Sequence, residues 1–144
     1  VLVAALLAFC GVPATASADD DPEQRMIEAI NAARSREAGL PALRPAPPLE
    51  RSAGVFSRWL LQNDLLAHRP AVSTGRAYRH SGEALAMHFS KKARISATVK
   101  GWLASPAHRG LVLTSSMNLI GIGHASGRSG GRPRTVWVVQ LARR

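Results

Sequence analysis

Apolar positions recur at helical spacing in the first half of the chain and at strand spacing near its end. Met26, Ile30, Ala33 and Glu37 share one stripe, with Ile27 and Arg34 beside it. This spacing predicts an amphipathic helix whose apolar part faces a core. Asp21-Pro22-Glu23-Gln24 opens it, with Asp as cap, Pro at the first position and Gln at the third, close to a capping box. Gly39 supplies the stop, and Leu40-Pro41 prevents continuation. Pro45 to Pro48 reads as a rigid connector. Leu49, Ala53, Phe56 and Leu60 then repeat the helical spacing, with Trp59 adjacent, and predict a second helix to about Leu66. Gly54 within it costs roughly 1 kcal/mol against Ala, which points to close packing there.

Arg69 to Ser81 is polar and loop-like, with Ser73-Thr74-Gly75 in its middle. Gly82 reads as a turn, and Glu83 follows it directly before the apolar run Ala84 to Met87, whose period the pattern leaves open. A third helix is predicted from about Ile95 to Leu103, with Val99 and Trp102 inward. At Ser105 the chain turns into a new short helix. Its hydroxyl is expected to cap that helix, Pro106 takes the first position and His108 the third. Asn118 to Gly123 reads as a strand whose Gly121 and Gly123 let another backbone come close. Thr135 to Leu141, β-branched and aromatic, is the strongest strand. Leu119–Ala125 and Thr135–Leu141 are expected to pair antiparallel across a Gly- and Arg-rich loop, Ser126 to Arg134, too long for a tight two-residue turn.

The N-terminus changes the picture of location. Val1 to Phe9 is almost continuously apolar, and Ala16-Ser17-Ala18 follows. This reads as a secretory signal over residues 1–18 lacking its basic beginning, with the mature chain starting at Asp19. The run is too short for a stable membrane anchor. Cys10, the single cysteine, falls inside it. It also fits a lipid-acylation site, although Phe9 before it is bulky where a small residue is wanted. Residues 19–144 suffice for one domain with a real core, expected to be a secreted or periplasmic monomer without disulfides.

All nine acidic and nineteen basic residues follow Ala18, so the net charge of +10 belongs to the mature part. Such a surface favours anionic partners such as cell-wall polymers or lipid headgroups. Secretion separates the chain from most nucleic acid, which is not expected as a partner. The sequence contains no GxxxxGK, HExxH or CxxC, which removes the commonest nucleotide, metalloprotease and redox readings.

Taken in order, several pieces resemble the bacterial branch of the CAP superfamily, which includes cysteine-rich secretory proteins, venom allergens and plant pathogenesis-related proteins. They are Asn31-Ala32-Ala33-Arg34, Gly39-Leu40-Pro41-Ala42-Leu43, His68, Ser81-Gly82-Glu83-Ala84, Trp102-Leu103-Ala104-Ser105-Pro106-Ala107-His108-Arg109, Ile120-Gly121-Ile122-Gly123 and Trp137-Val138-Val139-Gln140. The resemblance implies an α+β fold, a three-layer α-β-α sandwich with a central, mainly antiparallel sheet. It also implies a cleft with two His and two acidic residues that bind a divalent metal in some members. By position His68, Glu83 and His108 match. Val136 stands about where animal and plant members carry their second His, and Ser105 near their second Glu. Ala84 replaces the usual Asn after Glu83. The full tetrad is therefore not present.

Two His and one carboxylate form a legitimate ligand set for Zn²⁺. Two functions follow for a cleft of His68, Glu83, Ser105 and His108. One is non-enzymatic binding of an anionic envelope component or small ligand. The alternative is a hydrolase using a divalent metal held by His68, Glu83 and His108. No nucleophile with a paired base is evident, because capping claims the Ser105 hydroxyl.

Overall fold

The computed structural model describes residues 21–69 and 78–144. The expected signal segment, Cys10, the cleavage point before Asp19 and the Ser73-Thr74-Gly75 loop lie outside them. In chain order the elements are α1 (Pro22–Ala38), β1 (Arg44–Pro45), α2 (Pro47–Gln62), β2 (His80–His88), α3 (Ile95–Ala104), α4 (Pro106–Val112), β3 (Leu119–Ser129) and β4 (Arg132–Arg143). One sheet has the order β1-β3-β4-β2. Its long pairs, β3–β4 and β2–β4, are antiparallel, and only the two-residue β1 runs parallel, beside β3. Helices cover both faces, giving the α-β-α sandwich.

Alternation along the strands divides the core. Trp137, Val139, Leu141, Ile120, Ile122 and Ala84 pack with Met26, Ile30, Val99, Trp102 and Val112 of α1, α3 and α4. Val136, Val138 and Leu85 pack with Ala53, Phe56 and Leu60 of α2. Val136 is thus a core residue beneath α2, with no surface to offer a cleft.

The start and stop of α1 are as the sequence predicts. Asp21 Oδ1 accepts from the Glu23 and Gln24 amides at 2.9 and 3.4 Å. Gly39, at φ 59°, turns its amide back to Ser35. Gln24 closes no capping box; its side chain donates to Glu28. Asn31 clamps the Leu43 backbone, donating to its carbonyl at 3.1 Å and accepting from its amide at 2.8 Å. Arg34, only 1% exposed, donates to the carbonyls of Pro41, Val112 and Thr114. These bonds fix the end of α4 against α1, and so the position of His108.

Gly121 and Gly123 do let a backbone close in. A Cβ on Gly121 would overlap Leu49 and the Glu50 amide, and one on Gly123 would overlap the Ala53 carbonyl and the Gly54 amide. The partner is α2, which lies directly on β3.

Three expectations change. First, α2 stops at Gln62, not near Leu66. Asp64 takes a left-handed conformation at φ 52°, held by Arg134 at 2.8 Å and by the Ser129 hydroxyl at 3.1 Å. Second, Ser126 to Arg134 is mostly ladder rather than loop. Gly130 and Gly131, at φ 55° and 74°, make a two-residue turn of the kind that matches strand twist. Third, Gly82 is not a turn but lies within β2, and the apolar run after it, whose period the sequence left open, is strand as well. Its period is two, with Ala84 facing α1 and α3 and Leu85 facing α2.

Candidate functional site

Glu83 lies on β2, the edge strand opposite β1, directly across from Gln140 on β4. Strand alternation turns both toward the α2 side. Gln140 Nε2 donates to Glu83 Oε2 at 3.0 Å. His68, six residues beyond the end of α2, brings Nδ1 to within 3.2 Å of Oε1. The Glu83 side chain is 6% exposed and that of His68 54%. A sheltered carboxylate thus holds an exposed imidazole from behind.

Arg69 fastens this segment to α2. Its Nη2 donates to the Ser52 carbonyl and hydroxyl at 3.3 and 3.1 Å, and its guanidinium stands 4.1 Å from the Phe56 ring centre. Its Nε is 3.9 Å from Glu83 Oε2, beyond hydrogen-bond range. Both that Nε and Gln140 Oε1 are buried without a hydrogen-bond partner among the described residues. The polar ring around Glu83 therefore keeps unused donor and acceptor capacity.

Ser105 and His108 approach from the opposite helical layer. In α4, Leu111 follows His108 by one turn and lies against Gly82, where a Cβ would strike its Cδ1. This contact fixes α4 beside the residue preceding Glu83. Ser105 is the N-cap residue of α4 by conformation, yet its side chain makes no cap hydrogen bond. Its Oγ instead lies 3.0 Å from His108 Nδ1. The expected cap is corrected: an imidazole at the third position reaches back and takes the hydroxyl. The result is a Ser–His pair, and among the described residues no carboxylate bonds to its ring.

The structure joins two of the three expected ligands. His68 and Glu83 touch, while His108 is engaged with Ser105. Among the described residues no group of three or more His, Cys, Asp and Glu side chains is gathered to hold a metal ion. As placed, the expected set does not fit a tetrahedral ion, which needs three protein ligands around one point.

Two participants escaped the sequence reading, Gln140 and Arg69. Gln140 had a signal: it is the one amide inside Val136-Trp137-Val138-Val139-Gln140-Leu141. A polar side chain in such a run needs a partner. Arg69 had none beyond its place next to His68.

The family profile described as CAP, cysteine-rich secretory protein family, matches residues 27–141. Among solved structures, an extracellular protein containing an SCP domain from Bacillus anthracis aligns with TM-score 0.67 at 20% identity, over 85% of this chain and 40% of that one. An outer surface protein from Borrelia burgdorferi aligns with TM-score 0.66 at 19% identity, over 84% of this chain and 91% of that one. A cysteine-rich secretory protein from Staphylococcus aureus gives TM-score 0.61 at 14% identity, over 85% and 39%. The chain thus spans about two fifths of the Bacillus and Staphylococcus proteins. No curated protein matches it. Among the described residues, no helix is long and apolar enough to cross a membrane.

Proposed function

The chain belongs to the cysteine-rich secretory protein (CAP) family, and from that premise we propose that it is an extracytoplasmic, non-enzymatic binding module acting as a monomer. Its ligand is an anionic envelope component, taken up at the cleft of His68, Glu83, Ser105 and His108. The extracellular and outer-surface character of two structural neighbours supports the location.

The observation that carries the reading is the engagement of Glu83. One oxygen faces His68 and the other accepts from Gln140. A carboxylate held by a side chain at each oxygen is suited to orienting those neighbours. With His68 Nδ1 donating to Glu83, its Nε2 is left for a ligand. The net charge of +10 draws anions toward that imidazole.

The test is binding to a purified anionic envelope polymer at two salt concentrations. The folded protein should bind saturably, and His68→Ala and Glu83→Gln should each weaken binding about tenfold, the worth of one charge-assisted hydrogen bond. Equal binding by a heat-unfolded sample would reduce the effect to bulk charge. Calorimetry with Zn²⁺ addresses the hydrolase reading. A one-to-one site lost in His108→Ala would replace the present proposal with metal-dependent chemistry.

A further inference from the structure

Among the described residues, the large hydrophobic side chains that stand exposed are Val55, Trp59, Leu65, Leu66 and Phe89, each between 44% and 67% accessible. They are not scattered. Val55 and Trp59 lie one turn apart on the outer side of α2, and Leu65 and Leu66 follow its end. Phe89 joins them through Arg134, which stands 4.5 Å from its ring centre and pairs with Asp64, the residue before Leu65. Between α2 and the following segment, Val55, Phe56, Trp59, Ala67, His68 and Arg69 line a groove of 410 Å³.

The rim of this patch is cationic. Arg58 projects from α2, Arg128 and Arg132 flank the β3–β4 turn, and Lys91 and Lys92 follow Phe89; all are exposed. The turn meets the end of α2, because Gly130 lies against Asp64. Lys91 is held at the same end, its carbonyl accepting from Ser126. The acid at this end is Asp64, and Arg134 already neutralises it.

We propose that this end of the molecule, which borders the His68–Glu83 pair along the groove, docks on the surface of an anionic lipid bilayer. Trp59, Leu65, Leu66 and Phe89 enter the boundary between headgroups and acyl chains, and the Arg and Lys rim meets the headgroup phosphates. A tryptophan with leucines inside a basic border is the composition that seats an amphipathic surface in that boundary. A second copy of the chain is a poor occupant, since two like-charged rims would face each other.

The test uses Trp59 as its own reporter. The chain has three tryptophans, and Trp102 and Trp137 are buried. Fluorescence is recorded with vesicles of equimolar phosphatidylglycerol and phosphatidylcholine carrying brominated acyl chains. Reading quenching at Trp59 excludes attachment through another part of the chain. Emission should shift blue and be quenched, and the double substitution Leu65→Ser with Leu66→Ser should lower vesicle affinity at least about tenfold. Both residues are exposed, so the variant should keep its melting curve. The proposal is overturned by absence of quenching, by equal quenching with phosphatidylcholine alone, or by full affinity in the double variant. Sedimentation showing that the patch is covered by dimers without vesicles overturns it as well.

Discussion

On the side of the sheet covered by α1, α3 and α4, the buried side chains form one continuous cluster containing Trp102 and Trp137. Both indoles find carbonyl partners, Leu85 at 3.0 Å and Ala93 at 2.7 Å. The titratable groups packed there include two histidines. His88 bonds to Thr98 at 2.7 Å, and His124 stacks on Trp137 with ring centres 4.3 Å apart. On the α2 side the apolar clusters are smaller and broken by polar pairs, His68 with Glu83 and Asp64 with Arg134. The charge buried on the first face is the Arg34 guanidinium, spent on backbone carbonyls, while the second face gathers side-chain pairs and leaves hydrophobic side chains outside. The continuous apolar core lies on one side of the sheet, and the His68–Glu83 pair with the exposed hydrophobic side chains on the other.

The comparison breaks most visibly at Arg34. Replacing it with Ala leaves three carbonyls without their donor and opens a cavity. The expected loss is about 4 kcal/mol in a urea unfolding series, and α4 with His108 should loosen in hydrogen exchange. Next comes Gly123→Ala. The added methyl meets helix backbone rather than a flexible side chain, so α2 must lift from β3 at a cost of about 3 kcal/mol. That variant should lose ligand binding together with stability. Glu83→Gln separates the two properties. It should cost only about 1 kcal/mol in a thermal melt while weakening ligand binding about tenfold, because a neutral amide no longer anchors the imidazole.

The smallest effect is pH dependence, and it reports on the first face. Burial lowers the pKa of His124 below the ordinary 6.5. Burial, and then the Arg94 cation, lowers that of His88. Below 6.5 the unfolded chain therefore binds more protons than the folded one, so stability falls with acidity across the window under that value. It is fully present above it. His124→Phe should flatten the slope between pH 5 and 7 in melts. Glu23 opposes this at lower pH. Burial, reinforced by Asp21, raises its pKa above 4.5, so its contribution favours the folded state at acid pH and is lost as pH rises through the shifted value.

Much of the first face was legible in the sequence, because caps and helical stripes are local. Asp21, Gly39 and Pro106 each mark a boundary that the structure keeps. The second face was less legible because its decisive contacts are distant in the chain. The stop of α2 depends on Asp64 meeting Ser129 and Arg134, some 65 to 70 positions later (roughly, by residue number). β2 showed no clear period because Ala84 and Ala86 are small, and pairing with β4 settles its state. His68 and Glu83 came from family resemblance, and their contact could not be read from a separation of 15 residues. The Ser105 hydroxyl was assigned to a cap because local rules see a free amide and not a competing imidazole.

The strand order also sets a schedule. β4 is last of the four strands in the chain, yet it lies between β3 and β2. While the polypeptide is synthesised, β2 emerges with no neighbour to pair with, and β1 contributes only two residues beside β3. Until β4 arrives, the apolar faces of α1, α2 and α3 have no completed sheet to cover. The domain thus stays open to a protease until β4 has emerged. A nascent chain stalled at Gly131 should be cut throughout by a dilute protease, whereas one extended past the end of β4 should resist.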